Sequence, residues 1–459
     1  MTRAHLSRRD CLRASAIGVT GFSASGWLDV LAARAAEAPK RAKPKACIVL
    51  FLPGGISQLE SWDLKPEGPA DWRGPFKPIG TSVPGIQICE HLPKLAAMMP
   101  DLALLRGMST TGDHGSGTKL VHHAGFFPKA LPAHKKPNLG AVVSASLADP
   151  DFGIPTHVVL GGRGLQDNDL GNAGFLGAKH QGMNIPEPAK GLESLQASIA
   201  PNLFDDRLQL FEELERGFAQ EHRLNAVDTH RVGYQTGVNF MRSSKAKAFS
   251  LDAEPIKVRD AYGRNQFGEG CLMARRLVEI GLPFVEVKFQ VALHKKNING
   301  SMLPWDTHTD IQDSALVGLP ILDAAMSSLI HDLKARGLYE TTLVVCMSEM
   351  GRTPEPEKKG GRNHYPQVWT AVMGGAGIKT GLVVGRSSKD GKEVVERPIS
   401  AVELLSTICQ AVGIDPTLEF SPRDGMRSDA KRTPDQAMMA GTAVEVLGKD
   451  APRIREILA

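Results

Sequence analysis

Two short stretches constrain the fold more than any other part of the chain. They are Ala46-Cys47-Ile48-Val49-Leu50-Phe51-Leu52 and Thr342-Leu343-Val344-Val345-Cys346-Met347. Neither alternates apolar with polar residues, and neither contains proline. A strand with one wet face alternates, whereas a strand covered on both faces does not. Both are read as interior strands. Shorter strand candidates lie at 102–105, 157–160 and 283–287. Amphipathic helices fill the gaps. Leu316, Leu319, Leu322, Met326, Leu329, Ile330 and Leu333 mark one apolar face of a helix that Gly337 stops. Residues 270–280 lead into the 283–287 strand in the same way, and 402–412 form a further helix ended by Gly413. Residues 205–245 read as largely helical and amphipathic, an inserted cap or flank. This alternation predicts an α/β domain with a mainly parallel central sheet and helices on both faces.

In such sheets ligands bind beyond the carboxyl ends of the strands. The 342–347 strand opens there into Ser348-Glu349, then Gly351-Arg352. After the excursion "EPEKKGG", read as flexible, come Arg362-Asn363-His364. Glu349 therefore stands where a functional residue would stand, although a helix-capping or surface glutamate fits the position too. Two more polar clusters accompany it: Trp305-Asp306-Thr307-His308, and Asp113-His114-Gly115-Ser116-Gly117 followed by His122-His123. Asp306 and His308, two residues apart in an extended segment, point the same way and can face one cation. A single such histidine is more often a hydrogen-bonded loop residue than a ligand. Carboxylates and imidazoles gathered from several loops are how metal-hydrolase sites are assembled.

A formal charge of +4 over 459 residues, with no basic block beyond the extreme N-terminus, gives no electrostatic footprint for nucleic acid. Of six cysteines, five follow the N-terminal region, at 47, 89, 271, 346 and 409, widely spaced and without a CxxC. An odd, scattered set does not make a disulfide framework. Residues 1–38 read as an export signal. Ser7-Arg8-Arg9-Asp10-Cys11-Leu12-Arg13 is similar to the twin-arginine consensus, a mildly apolar stretch follows, and Ala36-Glu37-Ala38 suits a cleavage site. A cytoplasmic amphipathic helix is the alternative. The mature chain, 39–459, is expected as a single domain, periplasmic or otherwise exported, with no stable membrane span.

The motifs "FLPGGISQLESWDLKP", "GFLGA", "MARRLVEIGLPFVEV", "WDTHTD", "DLKARGLYETTLVVCMSEMGRTP" and "GRNHYPQVW" resemble the family called domain of unknown function 1501. Its members are abundant in planctomycete-type bacteria and often carry a twin-arginine leader. The resemblance runs from about Lys45 to the C-terminus. It implies the alkaline-phosphatase/sulfatase-like superfamily, whose members are metal-dependent hydrolases or transferases of phosphate and sulfate esters. By that resemblance Glu349 and His364 match the late-strand acid and the following loop histidine, and Asp306 and His308 a mid-chain ligand pair. His114 is the expected fifth ligand, and Arg352 a bidentate clamp for an anionic oxygen. The ion would be Zn, Ca, Mg or Mn. Ser57 and Ser116 are rival nucleophiles, and Ser57 is alternatively a turn serine bonded to local backbone. The expected activity is an exported hydrolase acting on a sulfate or phosphate ester of a small molecule or polysaccharide. The departure is Gly54-Gly55, where the superfamily places metal-binding aspartates after the first strand. It favours the alternative, a non-catalytic member of the fold serving in binding or envelope assembly.

Overall fold

A computed structural model describes residues 45–111, 136–149, 151–162, 171–192, 199–221, 225–291, 304–414, 419–420, 444–445 and 451–458. Residues 1–38, read as an export signal, fall outside them, as do His114, Ser116, His122 and His123. Eight strands form the central sheet: β1 (Ala46–Phe51), β2 (Ala103–Met108), β3 (His157–Leu160), β4 (Met183–Ile185), β5 (Phe284–Lys288), β6 (Thr342–Met347), β7 (Trp369–Gly375) and β8 (Leu382–Val384). Their order across the sheet is β8-β2-β7-β6-β1-β5-β3-β4.

β1 lies at the centre. It pairs in parallel with β6 from Ala46↔Thr342 to Phe51↔Met347, and in parallel with β5 from Cys47↔Phe284 to Phe51↔Lys288. Both apolar stretches are therefore interior. Their side chains feed two separate cores, one on each side. Ile48, Leu50 and Leu52 join the first core, and Cys47, Val49 and Phe51 the second. This is why neither stretch alternates: both faces of the sheet are covered.

Among the labelled helices are α1 (Leu139–Leu147), α2 (Pro201–Glu221), α3 (Asn225–Arg242), α4 (Gln266–Glu279), α5 (Ile311–Ala335) and α6 (Ala401–Ala411). α4 and α5 cover the first face through Phe267, Leu272, Leu319 and Leu329. α1 and α6 cover the second through Val142, Val143, Leu404 and Ile408. Ser400 caps α6 by accepting the Glu403 N–H, as its Ser-x-x-Glu sequence favours. Gly337 ends α5 at φ 65°, where the Leu338 N–H bonds the Leu333 carbonyl at 2.8 Å. α5 is long and apolar enough to cross a membrane, but most of its apolar window is buried within the fold. α2 and α3 form the helical segment read at 205–245, with Phe211 stacked on Tyr234 at 4.1 Å.

One strand runs against the rest. β7 is antiparallel to both β2 and β6, and the sequence reading assigned it no strand. Its seven residues follow β6 through a small hairpin, Gly351–Pro356 paired with Arg362–Tyr365. That hairpin occupies the connection, residues 348–368, which holds no crossover helix, so the strand that follows returns antiparallel. All five described cysteines are buried and free, consistent with their role as small core residues.

Candidate metal centre

The site is built at the carboxyl edge of β1 and β6. β1 leads to Gly54 (φ 106°) and Gly55 (φ 82°), a left-handed turn that side chains resist. A Cβ on Gly54 would stand 2.4 Å from the Asp306 nitrogen. The space beside Gly54 is thus filled by the backbone that carries Asp306. β6 leads to Ser348 and Glu349, both fully buried. The Gly54 N–H donates to Glu349 Oε1 at 2.9 Å, and the Gly55 N–H to Ser348 Oγ at 3.1 Å. The Ser348 hydroxyl lies 2.7 Å from the Leu52 carbonyl and 3.0 Å from Glu349 Oε2. Lys288, buried at the end of β5, has its pKa pushed down to about 8 by loss of solvent, with the charge of Glu349 opposing the fall.

Arg352 ties this edge together. Its Nε donates to the Gly55 carbonyl at 3.0 Å and its Nη1 to the Arg362 carbonyl at 3.0 Å. Its Nη2 reaches the Trp305 carbonyl at 3.1 Å, Asp306 Oδ1 at 2.8 Å and the Gly54 carbonyl. The Gln58 side-chain amide closes on its backbone from both sides, at 2.9 and 3.0 Å. Burial lowers the guanidinium pKa and Asp306 opposes that fall; a guanidinium in a protein remains charged regardless. The neighbouring Arg362 is likewise engaged, bonding Glu60 Oε1 at 3.0 and 2.8 Å.

Three polar side chains converge beside Arg352. The turn of the hairpin lies against the segment entering α5, with a bridge between Thr309 and Gly360 and the Arg362 N–H on the Thr307 carbonyl at 2.9 Å. A Cβ on Gly361 would stand 1.9 Å from the His308 carbonyl carbon, so glycine lets the two backbones touch. The contact brings His364 over His308. Their Nε2 atoms are 3.0 Å apart, and each lies 3.2 Å from Asp306 Oδ1. In tetrahedral coordination at about 2.0–2.1 Å, neighbouring ligand atoms stand about 3.3 Å apart. The triangle of 3.0, 3.2 and 3.2 Å therefore has the dimensions of three ligands on one small ion. One carboxylate and two imidazoles also fit a first-row divalent ion chemically. These three are the one group of His, Cys, Asp or Glu side chains among the described residues placed so that they could hold a metal ion. Asp306 and His308 line a surface cleft of about 740 Å³, with Glu357, Lys358 and Lys359 at its rim.

The structure thus gathers Asp306, His308 and His364 and places Glu349, Arg352 and Ser57 differently from the expected constellation. Glu349 is not in the cluster, because its oxygens are turned to the Gly54 backbone and Ser348 within the fold. Arg352 is not a clamp for an incoming anion, because it is wholly buried and its donors are spent on carbonyls and Asp306. Ser57 is 4% exposed, and its Oγ has no hydrogen-bond partner. Among the described residues no base accepts its proton, and it does not bond local backbone as a turn serine would. His114 and Ser116 lie outside the described residues. Two contributors were missed by the sequence reading. Gln58 supports the backbone of Arg352, and Glu357 Oε2 lies 3.3 Å from His308 Nδ1. Glu357 lay in the excursion read as flexible, which is in fact a turn pinned by the Glu357 N–H on the Gly361 carbonyl at 2.7 Å.

Several solved structures are similar to this chain. One is a protein in the alkaline phosphatase superfamily from Vibrio parahaemolyticus (13% identity, 84% of this chain and 69% of that one, TM-score 0.36). Another is the PsFucS1 sulfatase from Pseudoalteromonas sp. (14%, 88% and 74%, TM-score 0.38). A third is the C-terminal periplasmic domain of EcEptC from Escherichia coli, in complex with Zn (12%, 82% and 86%, TM-score 0.37). Likenesses this distant leave the site to be judged on its own geometry. No curated protein matches the chain. A family profile described as "Protein of unknown function (DUF1501)" matches residues 44–437, and the chain belongs to that family.

Proposed function

We propose that this protein is an exported, metal-dependent hydrolase of a sulfate or phosphate ester, with Asp306, His308 and His364 as its metal ligands. The observation that carries the reading is the triangle of donor atoms 3.0–3.2 Å on a side at the margin of an open cleft. A divalent ion held there would supply Lewis-acid polarisation of an ester oxygen and lower the pKa of an attacking hydroxyl. The chain's own residues do the rest. Arg352 fixes Asp306 Oδ1 from inside the fold, so the carboxylate needs no reorganisation to meet a cation. His308 and His364, about one-fifth exposed, present their nitrogens between protein and solvent. With Ser57 sealed in the interior, the attacking hydroxyl is assigned to Ser116 or to water. Export rests on the Ser7–Arg13 motif, with 39–459 as the mature single domain.

A second reading keeps one observation in its favour. The Gly54 turn is filled by the backbone of Asp306, so no strand-one ligand is available there, and among the described residues no fourth ligand joins the triad. A binding or envelope-assembly protein could retain such a site without turnover. The test is hydrolysis of an aryl sulfate and an aryl phosphate by the purified mature chain, after chelation and after refilling with Zn, Mn, Mg or Ca. The reading expects turnover that chelation abolishes and one of these ions restores. Metal binding without turnover of either ester would replace it with the binding protein.

A further inference from the structure

We infer that Glu357 is the positioning residue of this centre: it sets the proton of His308 on Nδ1 so that the Nε2 lone pair faces the ion. The inference rests on the metal-ligand reading of the triad. A neutral imidazole carries one proton, and the nitrogen that keeps it is decided by the hydrogen bond it makes. His308 has its two nitrogens in different surroundings. Nε2 points into the triangle, 3.0 Å from His364 Nε2 and 3.2 Å from Asp306 Oδ1. Nδ1 points away from it, to Glu357 Oε2 at 3.3 Å. A carboxylate has no proton to give at neutral pH, so Nδ1 is the donor in that bond, and an ion in the triangle, which needs the Nε2 lone pair beside Asp306 Oδ1, keeps the proton there. That leaves Nε2 unprotonated and aimed where the other two donors converge. A carboxylate behind a ligating imidazole also makes it more basic, and removal of such outer partners typically weakens metal affinity about 10–100-fold.

The position of Glu357 is fixed by backbone rather than by chance. It opens the hairpin turn, its N–H bonds the Gly361 carbonyl at 2.7 Å, and its own carbonyl accepts the Gly360 N–H at 3.0 Å. The same turn is bridged to Thr309, beside His308. Glu357 is thus carried by the element that delivers His364 and reaches back to the histidine on the other segment. The competing account is an ordinary surface ion pair. Glu357 is 39% exposed and His308 22%, and such pairs contribute little to stability. That account predicts no effect on metal affinity.

The experiment is a cobalt(II) titration of the stripped full chain, followed by its visible absorption band, in wild type, Glu357→Gln, Glu357→Ala, His308→Ala and the double variant His308→Ala/Glu357→Ala. Glu357→Ala is expected to weaken cobalt binding about 10–100-fold. Glu357→Gln, whose amide oxygen still accepts from Nδ1, should recover part of the loss. In the His308→Ala background, removing Glu357 should change nothing further, because its effect passes through that imidazole. The metal-free thermal midpoint should be the same in wild type and Glu357→Ala. Equal cobalt affinity in wild type and Glu357→Ala overturns the inference. So does a further loss in the double variant, which would mean that Glu357 touches the ion directly. If wild type itself binds no cobalt, the metal-ligand reading has failed before the role of Glu357 is reached.

Discussion

Replacing Arg352 with lysine separates a structural keystone from an anion clamp. Arg352 sends Nε to the Gly55 carbonyl and Nη1 to the Arg362 carbonyl, both at 3.0 Å. Nη2 reaches Trp305 at 3.1 Å, Asp306 at 2.8 Å, and Gly54. These acceptors lie on opposite sides of a planar fork. A lysine ammonium is a single point with three donors and cannot serve both sides. At least two carbonyls are left buried and unpaired, and each such orphan costs about 1–3 kcal/mol. Arg352→Lys should therefore lose about 2–6 kcal/mol, a large share of the 5–15 kcal/mol typical of a folded domain. Guanidinium denaturation followed by far-UV circular dichroism reads this as a lowered midpoint. A loss below about 0.5 kcal/mol, the range of an ordinary surface change, would refute the keystone assignment and return Arg352 to the cleft.

Two further outcomes follow from single residues. Ser57→Ala removes a buried hydroxyl that has no partner, so denaturation should show unchanged stability or a gain of about 1 kcal/mol, with turnover retained; lost turnover would restore Ser57 as nucleophile. Lys288 has its pKa depressed from 10.5 to about 8, so between those values the unfolded chain binds more protons than the folded one. Stability should rise with pH from about 8 to 10.5, by on the order of 3 kcal/mol, and be insensitive to this group below 8, where both states are protonated. Lys288→Met should flatten that rise, and an identical slope in the variant would contradict the assignment.

Much of this was legible because periodicity and backbone geometry carry it. The apolar runs at β1 and β6 declared themselves interior, since burial on both faces removes the polar residue at every second position. Asp306 and His308 were legible as a pair because residues two apart in an extended segment share a side. His364 was legible as a third partner because its loop starts at the end of β6. The roles of Glu349 and Arg352 were not legible. A charged residue at a strand's carboxyl end faces either the cleft or the backbone of the next loop, and only the path of the Gly54-Gly55 turn decides which. Arg352 was drawn inward by carbonyls from segments some fifty and three hundred residues away, and carbonyl direction leaves no mark on side-chain sequence. β7 went unseen because its run, broken by Thr370 and closed by Gly374-Gly375, reads as the approach to a turn. Glu357 was hidden in a charged, glycine-rich stretch that resembles a disordered excursion until its backbone is paired.

The most direct test is the metal content of the purified protein after equilibration with zinc and removal of free ion, read by elemental analysis alongside His308→Ala and His364→Ala. Ligands 3.0–3.2 Å apart on one side of an open cleft predict one ion per wild-type chain and a fall toward zero in each variant, with all three proteins folded. Wild-type protein without metal, or variants that keep the full complement, would contradict the account.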